Sequence, residues 1–293
     1  MAKFGISVAM LTPFDADGAI DTALMASHAR DVIAKGAHGV TLFGTTGEGA
    51  SIALAERKAA IAAVVAALVA DQIDPARVVV GLCATSVGDV LAQVDQALEF
   101  GIQTFLLLPP FYFPAPGDAG LRTWHEDLFA QADTRAKFIL YHIPQVTAVP
   151  LSFDLVTGLR RDFPERVVGI KDSSGSWDNA ERLLKEGNLP VLVGDERLLH
   201  RAFPLGAAGS ICGMANLHPA RLRALFDTST EDEALSREVG LVVSGPVIPA
   251  LKILMARNSG NAAWERMRGP LAPLPDAARE KLLAHGADDP VSV

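Results

Sequence analysis

The chain has 293 residues, 49% of them hydrophobic and 20% charged, which excludes a disordered chain and allows a substantial buried core. A net charge of -8 without a long Lys/Arg run argues against a nucleic-acid partner, because a phosphate backbone needs a clustered positive surface. The longest purely apolar run, residues 59–70, falls well short of the roughly 20 residues that cross a bilayer.

Pro13 and Asp15 interrupt the opening apolar stretch too early for a signal peptide. The two cysteines, Cys83 and Cys212, sit in apolar segments and make neither a disulfide framework nor a metal-ligand spacing. Both are expected to be reduced, in a cytoplasmic protein.

Eight short apolar runs alternate with longer helical stretches. Run 6–11 precedes a helix over 22–35, run 39–43 a helix over 54–68, and run 78–82 a helix over 87–100. Runs 104–108 and 137–141 precede helices over 121–132 and 152–161. Runs 167–170 and 190–193 precede helices over 176–185 and 198–205, and run 209–212 completes the series. The runs show little alternation, as parallel strands covered on both faces do. The pattern predicts an α/β fold, a closed (β/α)8 TIM barrel. An open doubly wound sheet is the competing arrangement, but no GxGxxG follows the first strand.

Beyond residue 212 the pattern is helical and punctuated by Pro219, Pro246, Pro249, Pro270, Pro273 and Pro275. The expected organisation is barrel strands and most barrel helices in residues 1–220. A closing helix and a small C-terminal helical extension would occupy residues 221–293, with a frayed tail from 286.

Catalytic groups of such barrels stand at the C-terminal ends of strands. The second strand ends in GTTGEG (44–49), the fifth in YHIP (141–144), the sixth in GIKDSSG (169–175) and the seventh in GDE (194–196). Lys171 follows an apolar run into the barrel mouth, where scarce water favours the neutral amine that attacks a carbonyl. An ion pair with Asp172 or with a ligand carboxylate is the competing role. Tyr141 ends its strand and could move protons beside such an amine, or simply be a packed aromatic. His142 should face away from Tyr141 if the strand persists. Thr45 and Thr46 lie between glycines, where hydroxyls and backbone N–H groups could cradle a carboxylate, or merely build a turn. Glu48 reads as a residue that holds this loop. After Gly194, Asp195 and Glu196 are either acceptors for substrate hydroxyls or helix N-terminal residues. As metal ligands they are weak, since no HxH, HExxH or carboxylate cluster accompanies them, and no metal is expected.

In this order GTTGEG, YHIP, GIKDSSG and the later PALK (249–252) make the sequence resemble the dihydrodipicolinate synthase and N-acetylneuraminate lyase superfamily, over nearly the whole chain from TPFDADG (12–18) onward. The resemblance implies that Lys171 forms a Schiff base with pyruvate or another 2-oxo acid, and that Tyr141 handles protons. It implies that Thr45 links this tyrosine to a wider relay, and that Thr46 binds the 2-oxo acid carboxylate. Tyr112, in PPFYF, matches a tyrosine that synthase-type members extend into a neighbouring subunit's site. Gly194, Asp195 and Glu196 match the lyase-type segment that holds a polyol chain, and Ile211 lies near the acceptor pocket. No cofactor is implied, and the common family state is a homotetramer.

Two departures bear on the substrate. Synthase members have YN where this chain has Tyr141 and His142, and an arginine five positions after the tyrosine, where this chain has Val146. Valine cannot form the bidentate carboxylate pair that an arginine forms. The expected function is therefore a Schiff-base aldolase that cleaves or forms a 2-oxo acid such as a 2-keto-3-deoxy sugar acid, with a small aldehyde as partner. A dehydratase of such acids, a 4-hydroxy-tetrahydrodipicolinate synthase-like condensation and a non-catalytic 2-oxo acid binder are the alternatives.

Overall fold

A computed structural model describes residues 4–285, so the expected frayed tail lies outside the described residues. The strands are β1 (Gly5–Ala9), β2 (Gly39–Leu42), β3 (Val78–Leu82), β4 (Thr104–Leu107), β5 (Lys137–His142), β6 (Val167–Asp172), β7 (Val191–Val193) and β8 (Gly209–Cys212). They are parallel and close in chain order, β8 pairing back onto β1. The helices between them are α1 (Thr22–Ala34), α2 (Leu54–Ala70), α3 (Val87–Leu98), α4 (Gly117–Gln131), α5 (Pro144–Thr147), α6 (Phe153–Asp162), α7 (Trp177–Glu186) and α8 (Leu199–Ala202). After β8 come α9 (Pro219–Thr228), α10 (Glu233–Val243), α11 (Val247–Ser259) and α12 (Asp276–His285). No helix of the described residues is long and apolar enough to cross a membrane.

The expected closed barrel is what forms, and its two buried layers explain the continuous apolar runs. Outward strand residues such as Val8, Val40, Val80, Phe105, Phe138 and Ile170 pack under the helices. Inward residues, among them Ala9, Val79, Leu106, Ile139, Leu192 and Ile211, fill the barrel axis. Each fully buried large aliphatic side chain contributes about 1.5–3 kcal/mol. Side-chain caps start several helices: Asp21 accepts from Leu24 N, Ser86 from Asp89 N, Ser152 from Leu155 N and Ser176 from Asn179 N. Each such cap adds about 1 kcal/mol and fixes where the preceding loop ends.

Several expected boundaries differ: β1 ends at Ala9 and not at residue 11, and α4 starts at Gly117 and not at residue 121. The helix expected over 198–205 is broken into a 3-10 turn (Glu196–Leu198), the single turn α8 and a second 3-10 turn (Phe203–Leu205). Pro204 explains the break, since it cannot donate to the preceding turn. Strand β6 runs on through Asp172, so Lys171 lies inside the sheet and not after it.

Candidate active site

A bulge aims the lysine. On β5 and β6, Phe138 pairs with Val167 but Ile139 pairs with Gly169, leaving Val168 extra. Val168 packs against the inner cluster while Val167 and Ile170 belong to the outer one. Because side chains alternate along a strand, one added residue exchanges the faces of everything beyond it. Were Val168 paired regularly with Ile139, Ile170 would stand beside Tyr141 and Lys171 would point to the helices. With Val168 bulged out of register, Tyr141 and Lys171 are partners that share the inner face.

The two side chains meet there. Lys171 Nζ donates to the Tyr141 hydroxyl at 3.1 Å and lies 4.2 Å from the centre of its ring. The Tyr141 hydroxyl is 3.4 Å from Thr45 Oγ1, at the long end of hydrogen-bond range. Lys171 is 5% and Tyr141 3% exposed, so amine and phenol are both buried at the barrel mouth. Asp172, the alternative partner of Lys171, is engaged elsewhere: it accepts from Ser174 N at 3.0 Å and from Asn179 Nδ2 at 3.0 Å. His142 takes the opposite face, as strand alternation requires, and its Nδ1 accepts from Leu151 N at 3.1 Å. Burial pushes the His142 imidazole down, and Asp172 partly offsets this.

Thr45 and Thr46 sit on a tight turn between β2 and α2. Gly47 N and Gly49 N both donate to Gly44 O at 3.1 Å. Phe43 and Glu48 take left-handed φ values of 57° and 56°, a costly conformation for residues with side chains. Bonds from outside hold the turn: Thr12 Oγ1 donates to Gly47 O at 2.7 Å, and Arg57 donates to Gly49 O and Gly81 O at 2.8 Å each. Thr46 faces the end of β8, where a Cβ on Gly213 would lie 3.7 Å from its Oγ1.

At the end of β7, Gly194 N donates to Asp172 O at 2.8 Å. A Cβ on Gly194 would stand 2.1 Å from Ser173 Oγ, so glycine lets the two strand ends close. Asp195 caps the following 3-10 turn and pairs with Arg197, whose Nε and Nη2 lie 2.9 and 2.7 Å from its two oxygens. Glu196 is buried, and its Oε1 accepts from Met214 N at 2.9 Å. Burial pushes the Glu196 carboxyl above the usual carboxylate range, against the opposing pull of backbone N–H groups and of Lys171. Ile211 packs in the inner cluster with Tyr141 and Leu192.

Tyr112 does not join this group. It is 78% exposed, stands edge-on to Phe113, and lines a separate cavity of about 460 Å³ with Cys83, Asp89 and Phe111. Val146 is 58% exposed at the mouth. The arginines Arg122, Arg197 and Arg201 are engaged with Glu126 and Asp162, with Asp195, and with the Trp177 ring. Among the described residues, no group of three or more His, Cys, Asp or Glu side chains converges as a metal site would.

The sequence reading missed Arg57 and Thr12, which hold the threonine turn. Arg57 left a signal: it shares the buried face of α2 with Ala60, Ile61 and Val64, at spacings of three, four and seven. A charge on an apolar stripe has to be satisfied by something specific.

Comparison with known proteins agrees with the closed barrel. The family model for the dihydrodipicolinate synthetase family matches residues 2–285. A curated relative from Chloroflexus aurantiacus, described as an uncharacterized DapA-like lyase, is 32% identical, covering 96% of this chain and 97% of the relative. A 4-hydroxy-tetrahydrodipicolinate synthase from Natronomonas pharaonis is 28% identical, covering 95% of each chain. The crystal structure of a dihydrodipicolinate synthase from Agrobacterium tumefaciens superposes with a TM-score of 0.92 at 39% identity, over 98% of this chain and 99% of that one. With its closed barrel and full-length match, the chain belongs to the dihydrodipicolinate synthetase family of class I aldolase-type carbon–carbon lyases.

Proposed function

We propose that the protein cleaves or forms a 2-oxo acid of the 2-keto-3-deoxy sugar acid class through a Schiff base on Lys171, with pyruvate as product or donor. The observation that carries this reading is the buried contact of Lys171 Nζ with the Tyr141 hydroxyl, itself beside Thr45. The amine attacks the C2 carbonyl, water leaves, and a protonated imine forms. The imine draws the electrons of the C3–C4 bond as that bond breaks. The C4 hydroxyl gives up its proton, an aldehyde departs and an enamine remains. Tyr141, in reach of the nitrogen, delivers and removes protons, and C3 is protonated before hydrolysis releases pyruvate. Thr45 orients the phenol and Thr46 receives the carboxylate. The amine supplies the electron sink, so the chemistry requires no further cofactor.

Glu196 supports a polyol-binding role, since it is a buried carboxyl at the mouth that feels the charge of Lys171. The same observation favours a second reading, dehydration. A carboxyl whose burial raises its affinity for a proton is suited to deliver one to a departing C4 hydroxyl once the imine has acidified C3. Synthase-type condensation fares worse, because Val146 offers no carboxylate ligand, Arg122 and Arg197 are already paired with carboxylates, and Arg201 is stacked on the Trp177 ring. Tyr112 completes the site from a neighbouring copy in the proposed homo-oligomer.

The test is a panel of 2-keto-3-deoxy sugar acids, N-acetylneuraminate and aspartate semialdehyde, with products identified chemically. Pyruvate plus an aldehyde supports the lyase, and a dehydrated 2-oxo acid supports the second reading. Binding without turnover of any of these compounds rejects both.

A further inference from the structure

The PALK segment has no part in the chemistry above, yet its lysine is completely buried. Lys252 and Glu48 form an ion pair in which both side chains are 0% exposed. Lys252 Nζ also donates to Thr12 O at 2.9 Å and to Arg266 O, and lies 4.6 Å from the centre of the Phe14 ring. The second Glu48 oxygen accepts from Arg268 N at 3.0 Å. The Arg268 guanidinium in turn holds Glu56 at the start of α2. One carboxylate thus joins the turn after β2 to the loop after β1, to helix α11 and to the segment beyond it. The neighbouring Leu251 lies close below the end of β8: a Cβ on Gly213 would stand 2.8 Å from its Cδ1 and 3.7 Å from Thr46 Oγ1.

Buried ion pairs rarely add net stability over an apolar pair of the same volume, because desolvation offsets most of the attraction. What they supply is direction. The turn they hold contains two left-handed residues with side chains, Phe43 and Glu48, which persist only when their surroundings over-determine them. Thr45 reaches Tyr141 at the long end of hydrogen-bond range, so a small displacement of the turn breaks that contact.

From this geometry we infer that Glu48 and Lys252 are positioning residues, a buried clamp that sets Thr45 against Tyr141 and Thr46 against the substrate carboxylate. The inference rests on the Schiff-base reading of Lys171. The clamp touches no reacting atom. It acts on rate and affinity through the turn, from the side of the barrel opposite Lys171 in chain order, and it gives the C-terminal helices a part in the site.

The experiment uses the full-length protein and rapid borohydride trapping with pyruvate. It compares the parent with Glu48→Gln, Glu48→Gln/Lys252→Met and Thr12→Val, each well below its own melting temperature. Folded fraction is measured by circular dichroism. Expected for Glu48→Gln and the double variant is a limiting trapping rate about tenfold or more lower, with half-saturating pyruvate about threefold or more higher. The amount finally trapped per folded molecule should stay unchanged. A merely structural pair would lower the folded fraction or the melting temperature and leave the trapping rate of the folded molecules alone, and this result overturns the inference. If the Glu48 variants do not fold, Thr12→Val decides, since it loosens the same turn at Gly47, beside Glu48: a rate about threefold lower supports the clamp and an unchanged rate rejects it. A parent that traps nothing on Lys171 rejects the Schiff-base reading and the clamp with it. A trapping parent with unaffected variants rejects the clamp alone.

Discussion

Tyr141→Phe is the sharpest perturbation of the proposed chemistry. It removes one oxygen that Lys171 Nζ approaches at 3.1 Å and Thr45 Oγ1 at 3.4 Å, and leaves the ring that packs beside Ile139 in the inner cluster. The stability cost is that of leaving a buried donor unpartnered, about 1–3 kcal/mol, which a domain stable by about 5–15 kcal/mol survives. The kinetic cost is larger. A positioned proton-transfer group contributes about 10²–10⁴ in rate, or about 2.7–5.4 kcal/mol of barrier at 1.36 kcal/mol per decade. The expected result is a folded variant whose pyruvate adduct, sampled by quench-flow with borohydride, accumulates at least about 100-fold more slowly. The adduct should still form on Lys171, because the amine remains. A limiting rate within about threefold of the parent, in a variant that melts normally, would show that the phenol is not the proton carrier.

Other perturbations test the surroundings. Glu196→Gln should leave pyruvate trapping unchanged and raise KM for a 2-keto-3-deoxy sugar acid by about tenfold, the size of one lost hydrogen bond to a charged group. An equal effect on both would remove Glu196 from the polyol side of the site. Gly49→Ala should destabilise the protein by about 1–3 kcal/mol or more, since its Cβ would stand 1.9 Å from Phe43 O, and denaturant titration reads this directly. His125 is fully buried in α4 with Nδ1 on Leu121 O at 2.7 Å, and burial pushes its imidazole down to about 4. Its folded form therefore binds a proton less readily than its unfolded form. The resulting stability is fully present above pH 6.5 and is lost as pH falls toward 4, by up to about 3 kcal/mol. Chemical denaturation across that range should be visibly flatter in His125→Phe, and an identical slope would exclude His125 as the source.

The barrel was legible because each strand is buried on both faces and so reads as an apolar run between helical stretches. Strand ends were less legible. Lys171 and Asp172 remain in β6 because backbone pairing with Leu192 and Val193 continues under charged side chains. The entry of Lys171 into the barrel mouth was expected from the apolar run before it, but the device that aims it was not legible. It depends on the bulge at Val168, and nothing in the local sequence VVGIKD separates a bulge from a regular strand. Thr45 stood out as a partner of Tyr141 only through resemblance, since a threonine between glycines serves a turn or a carboxylate as well as it serves a phenol 96 residues away. For Asp195 both proposed roles were open, and the structure engages it as a cap and partner of Arg197, a pairing two residues apart that sequence spacing permits. Glu48 was read as a loop holder without a partner. Its partner Lys252 lay in a motif noticed for its position and not for its burial.

The covalent link itself is the most direct thing to measure. Protein reduced with borohydride in the presence of pyruvate is digested and its peptides are weighed. The expected result is the reduced pyruvate adduct on the peptide that contains Lys171, absent from Lys171→Ala, which should also lose turnover. Full activity without an adduct at that position, or an Ala variant that keeps its rate, contradicts the mechanism.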